Sequence, residues 1–138
     1  MKSHARQYLR IMVESATPVE NVVALCEKCL LHLEAVREGL AAGEVAAWRG
    51  ALRKAMDILC YLEGSLDDGR PEQAELIGKG YRLILAKLGQ VGAQQDLAAL
   101  AQAEHWLAGM LSVWREAGHR LHGGDTDAAG AGGGEGEG

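Results

Sequence analysis

The sequence predicts an all-α protein: an antiparallel up-down four-helix bundle with a short N-terminal helix and a disordered Gly-rich C-terminal tail. Three observations carry this expectation. Hydrophobic residues make up 48% of the 138-residue chain, yet aromatics are only 4% and Phe is absent. Ala, Leu and Val therefore supply the apolar content, which suits closely packed helices better than a β-sandwich. Apolar residues recur at alternating spacings of three and four in successive stretches, the seam of a bundled helix. Short links between stretches of similar length force neighbouring helices to run antiparallel.

The first long helix opens at Thr17-Pro18-Val19-Glu20. Thr17 can cap, Pro18 suits the first helical position, and Glu20 completes a capping box. Its seam reads Val19, Val22, Cys26, Cys29, Leu33, Val36, Leu40, and Gly43 supplies a stop. A second seam runs Val45, Trp48, Leu52, Ala55, Leu59, Leu62, Leu66, with Asp67-Asp68-Gly69 ending it. Pro71 opens a third, carrying Ala74, Ile77, Tyr81, Ile84, Leu88 and Val91, with Gly89 and Gly92 expected to loosen its end. Asp96 is placed to cap a fourth helix with Leu97, Leu100, Leu107, Leu111 and Trp114, where Glu104 interrupts the rhythm. Residues 3–13 have the length for a short helix ahead of Ser15. Half of residues 123–138 are Gly, and none is a large apolar residue. The expected division is therefore a helical domain over 1–122 and a disordered acidic tail over 123–138.

The net charge is −5, and the tail acids Asp125, Asp127, Glu135 and Glu137 account for most of it. The body is close to neutral and has no basic stripe interleaved with aromatics, which argues against nucleic acid. No apolar run approaches the ~18 residues of a membrane helix, and the N-terminus MKSHARQYLR lacks a signal-peptide core. Three cysteines cannot all pair within one chain, which fits a reducing, cytoplasmic setting.

Cys26-Glu27-Lys28-Cys29 is the most chemical-looking motif. Its cysteines hold seam positions, where Leu or Val stands one turn away, and free Cys packs as a small hydrophobe. A redox pair belongs at a helix N-terminus, whereas this pair lies more than two turns in. A zinc site needs four ligands, and only Cys60 and His32 are at hand as further candidates. His119 and His122 have metal-like spacing but stand at the tail boundary, and no Glu-x-x-His pair supports a di-iron site. His105 beside Trp106 has no nucleophile to serve and reads as a helix-surface or rim residue. No catalytic residue, cofactor or metal is expected.

The seams leave Leu30, Leu31, Met56, Ile58, Leu76, Leu83, Leu85, Met110 and Val113 on other faces. They either widen the core stripe or form an apolar groove on the outside.

Four stretches resemble the FliS family of flagellar secretion chaperones. Val13-Glu14-Ser15-Ala16-Thr17-Pro18, with Tyr8 upstream, is similar to its V-x-T-A-S-P opening. Lys54-Ala55-Met56-Asp57-Ile58-Leu59, Leu62 and Ser65-Leu66-Asp67 follow its second-helix pattern. Ala74-Glu75 and Tyr81 to Leu88 keep the register of its third helix, and Leu111 to Ala117 resembles its closing L-R-x-A-W-K-E. The resemblance spans about residues 8 to 117. Two family motifs depart: L-Y-D-G reads Leu25-Cys26-Glu27-Lys28, and L-Y-D-Y reads Gly80-Tyr81-Arg82-Leu83.

The resemblance implies a non-enzymatic cytoplasmic chaperone. Such a protein binds the C-terminal segment of flagellin, prevents premature polymerisation and presents its client to the flagellar export gate. It further implies a client groove, for which Tyr8, Met56, Leu76 and Leu83 are the candidates. Met56 offers an adaptable thioether, and Leu76 and Leu83, seven residues apart, share a face of the third helix. Tyr8 suits a mobile N-terminal lid in the family's terms and equally a rim position over the bundle end. The alternatives are a helical bundle that self-associates as a homo-oligomer, a paralogue with another protein client, and a metal enzyme using the cysteines.

Overall fold

The computed structural model describes residues 17–66 and 71–130, with side chains over 19–66 and 75–119. These residues form four α-helices and no strand: α1 (Thr17–Ala42), α2 (Val45–Gly64), α3 (Pro71–Gln94) and α4 (Leu97–Gly130). The expected helix over 3–13, and Tyr8 with it, lie outside the described residues. No described helix is long and apolar enough to cross a membrane.

Local chemistry sets the turns. Gly43 adopts φ 69°, the left-handed conformation a glycine enters without steric penalty. Its N–H donates to Leu40 O (3.3 Å) and that of Glu44 to Gly39 O (2.9 Å), the paired bonds of a Schellman stop. Asp96 caps α4: its Oδ1 accepts the Ala99 N–H at 3.0 Å.

Three boundaries differ from the sequence expectation. The second helix ends at Gly64, ahead of the Asp67-Asp68-Gly69 stop, because Ser65 closes it by donating from Oγ to Leu62 O at 2.9 Å. Gly89 and Gly92 do not loosen α3, which continues to Gln94 and stops where Gln95 turns to φ 52°. Gly92 lies against Leu52, whose Cδ2 would stand 3.2 Å from an added Cβ. The fourth helix continues to Gly130, past the boundary expected after residue 122. Residues 131–138 are outside the described set.

The helices pack in a ring, α1 on α2, α2 on α3, α3 on α4 and α4 on α1. On α1 and α2, Gly39 meets Trp48 and Cys29 meets Ala55. On α1 and α4, Arg37 meets Glu104, Glu27 meets Arg115 and Val19 meets Gly118. On α3 and α4, Lys87 meets Trp106, Gly80 meets Met110 and Tyr81 meets Trp114.

The core is close to the seams read from the sequence. Val19, Val22, Cys26, Cys29, Leu33, Val36, Trp48, Leu52, Ala55, Leu59, Leu62, Tyr81, Ile84, Leu88, Val91, Leu100, Leu107, Leu111 and Trp114 are all buried. Val45 and Leu97 are exposed: each is the first residue of its helix, before the helix has reached its neighbour. Leu40, Leu66 and Ile77 are half-buried. On α4, buried Ala103 fills the seam slot that Glu104 had seemed to break. Glu104 instead sits at the edge, accepting from Arg37 of α1. Inside the core, Trp114 Nε1 donates to the Tyr81 hydroxyl at 3.1 Å, so the indole N–H is satisfied where water cannot reach.

Candidate functional site

Cys26 and Cys29 are fully buried, and the Cys29 thiol donates to Ala55 O at 3.4 Å. Burial, then the neighbouring Glu27 carboxylate, pushes the Cys26 thiol up to about 11. Burial, then Cys26, pushes Cys29 up to about 12. Both shifts oppose the thiolate that a nucleophile, redox pair or metal ligand requires. Cys60 is exposed, and among the described residues no group of three or more His, Cys, Asp or Glu side chains is placed to hold a metal. The pair therefore packs.

This has a consequence in alkaline solution. Both thiols ionise near 9.0 when unfolded and higher when folded. Their contribution is intact below pH 9 and is lost as the pH climbs through the folded values, because the unfolded chain releases protons first. The expected slope is about 1.4 kcal/mol per pH unit for each thiol. Urea unfolding between pH 9 and 11 should show a shallower decline in a Cys26→Ala/Cys29→Val variant than in the wild type. Equal slopes would remove the thiols as the cause.

The more informative feature is on the outside. Gly80 and Leu83 of α3, with His105, Trp106, Gly109, Met110 and Val113 of α4, line an open cleft of about 370 Å³. Its wall is almost wholly apolar. Gly80 permits the approach of Met110, whose Sδ would stand 3.2 Å from a Cβ at that position. Gly109 faces open space, with nothing within 4 Å of an added Cβ. A glycine in the interior of a helix costs about 1 kcal/mol relative to Ala, and here its effect is to deepen the cleft. Lys87 lies at one end, its Nζ 5.9 Å from the Trp106 ring centroid.

Of the residues singled out from sequence, Leu83 lines this cleft and is 49% exposed. Leu76 is 72% exposed on the same helix, two turns earlier, and is not among the lining residues. Met56 is half-buried against the core on α2, which contributes nothing to the cleft. Tyr8 is outside the described residues. The structure thus brings Leu83 together with Trp106, Gly109, Met110 and Val113 rather than with Met56. A signal for them exists: positions 106, 109, 110 and 113 follow the i, i+3, i+4, i+7 rule of an apolar helix face. Of these, Met110 and Val113 stood out as off-seam residues, while Trp106 and Gly109 were not joined to them.

Arg82, at one of the two departures from the family motifs, bridges Glu63 of α2 (3.0 Å) and Glu75 of its own helix (3.2 Å). It thus acts as a surface link between α2 and α3.

No relative was found among curated proteins. The family described as "Flagellar protein FliS" matches residues 1–121, which takes in all of α1, α2 and α3, the cleft, and α4 through its Trp114 anchor. With nearly the whole chain matched and the helical order intact, the protein belongs to the FliS family, a family of flagellar export chaperones.

Proposed function

We propose that this chain is a cytoplasmic chaperone that binds the C-terminal segment of flagellin, keeps it from polymerising early and delivers it to the flagellar export gate. The observation that carries the reading is the family match over residues 1–121. The apolar cleft between α3 and α4 supports it as a seat for the client's apolar side chains, with Leu83 in its wall. In this reading the chain is an antiparallel up-down bundle with a short helix over residues 3–13. Leu76 extends the client track along α3, while Met56 on α2 and Tyr8 are proposed as contacts outside the cleft. No covalent step is involved. Burying client side chains supplies roughly 25 cal/mol per Å2, offset by the cost of ordering a flexible segment.

Residues 1–122 form the working domain, and 123–138 are an appended acidic tail. The test is calorimetry with flagellin from the same organism, intact and lacking its C-terminal segment, against the full chain and a chain ending at residue 122. Binding should require the flagellin C-terminus and be the same for both chains. Binding of the truncated flagellin would point to another client surface. A melting temperature or affinity that falls on tail removal would show that the tail docks. Light scattering on the unliganded protein addresses self-association through the same face.

A further inference from the structure

We propose that the segment held in the α3–α4 cleft carries an Asp or Glu side chain one helical turn beyond its apolar anchors, and that Lys87 selects for it. This rests on the reading that the cleft seats the client.

The cleft is electrostatically lopsided. At one end Lys87 stands a turn beyond Leu83, half-buried and over the Trp106 ring, and His105 is in the lining. No acidic residue occurs on α3 from Leu83 to Gln94. On α4 from Leu97 to Val113 the sole acid is Glu104, which Arg37 of α1 engages on the far side. Arg37, Arg82 and Arg115 all have carboxylate partners. Among the described residues, Lys87 has none within salt-bridge range. The opposite end carries Lys79 and Glu116, charges of both signs.

A cation beside an apolar wall is less screened than one in open water, so a carboxylate seated there interacts more strongly. An occupant helix lying along α3 repeats its 3.6-residue spacing. An anchor opposite Leu83 and Gly109 then places the residue three or four positions away opposite Lys87.

The chain's own ends match this poorly. Residues 1–16 are basic on balance, with Lys2, Arg6 and Arg10 against Glu14, and the described end of α1 that they precede has Val19 against Gly118. Residues 131–138 hold Glu135 and Glu137 but no large apolar side chain. Charge complementarity therefore favours a separate chain, apolar and acidic in alternation.

The test is a double-mutant cycle by calorimetry at low and high salt. It uses the full chain and a synthetic peptide of the flagellin C-terminal segment, with each Asp or Glu of the peptide changed in turn to Asn or Gln. Lys87→Gln should weaken binding about fivefold at low salt. One peptide substitution should cause the same loss, and the two together should cost no more than either alone. Lys28→Gln on α1 should leave affinity unchanged. If Gly109→Leu abolishes binding while Lys87→Gln leaves both affinity and salt dependence intact, the cleft reads apolar side chains only and the proposal falls. A loss caused by amidating the peptide terminus, and by no side-chain change, also overturns it. So does salt-sensitive dimerisation through Lys87 without peptide. If Gly109→Leu and Leu83→Glu both bind normally, the client sits elsewhere, and the underlying reading fails along with the proposal.

Discussion

Leu83→Glu is expected to weaken binding of the flagellin C-terminal segment by about a hundredfold or more while leaving all four helices folded. The side chain lines the cleft and is 49% exposed, so in the free protein a carboxylate there remains in water. When an apolar client side chain covers it, that charge must be desolvated or expelled, at a cost of several kcal/mol. A factor of a hundred corresponds to only about 2.7 kcal/mol. The core neighbours Tyr81, Ile84 and Leu88 are untouched and fully packed. Gly109→Leu is the sharper companion. It fills the open space from the opposite wall, and replacing a glycine within a helix adds up to ~1 kcal/mol of stability. The expected result is a protein that melts no lower than the wild type and no longer binds. Circular dichroism and calorimetry on one sample separate the outcomes. Unfolding of Leu83→Glu would make Leu83 a core residue, and full affinity in both folded variants would remove the cleft from the client site.

The second large effect concerns the α1–α2 corner. Gly39 lies inside α1, directly against the start of α2. A Cβ there would stand 2.7 Å from Trp48 Cβ, 3.0 Å from Trp48 N and 3.1 Å from Trp48 Cα. Two of those atoms are backbone and cannot swing aside, so Gly39→Ala must push the helices apart. The expected loss is about 1–3 kcal/mol, even though Ala is the better helix former by ~1 kcal/mol. Gly50→Ala is the control, since its added Cβ meets nothing within 4 Å and should raise stability slightly. Urea unfolding with an unchanged m-value measures both. A neutral Gly39→Ala would mean that the corner relaxes more easily than its packing suggests.

Much of this molecule was determined locally. The 3,4 rhythm placed Cys26 and Cys29 in the core because a helix repeats every 3.6 residues, and any side chain in that stripe must pack. Gly43 and Asp96 ended and began helices through their own backbone freedom and hydrogen-bonding chemistry. The same periodicity also marked Leu83 and Met110 as lying off the seam.

What the sequence alone did not determine is which off-seam residues meet. Met56 and Leu83 looked equivalent as spare apolar positions, yet one leans on the core of α2 and the other opens onto a cleft. Glu104 interrupted the fourth seam in the sequence, and the rotation of α4 gave that core slot to the neighbouring Ala103 and the Arg37 contact to the glutamate. Gly80 and Gly109 are unremarkable in one dimension. They become the depth of a cleft only once α3 and α4 lie side by side. A helix face is a property of a few consecutive turns. A cleft exists only where two faces, distant in sequence, are held at a fixed separation by the packing of the whole bundle.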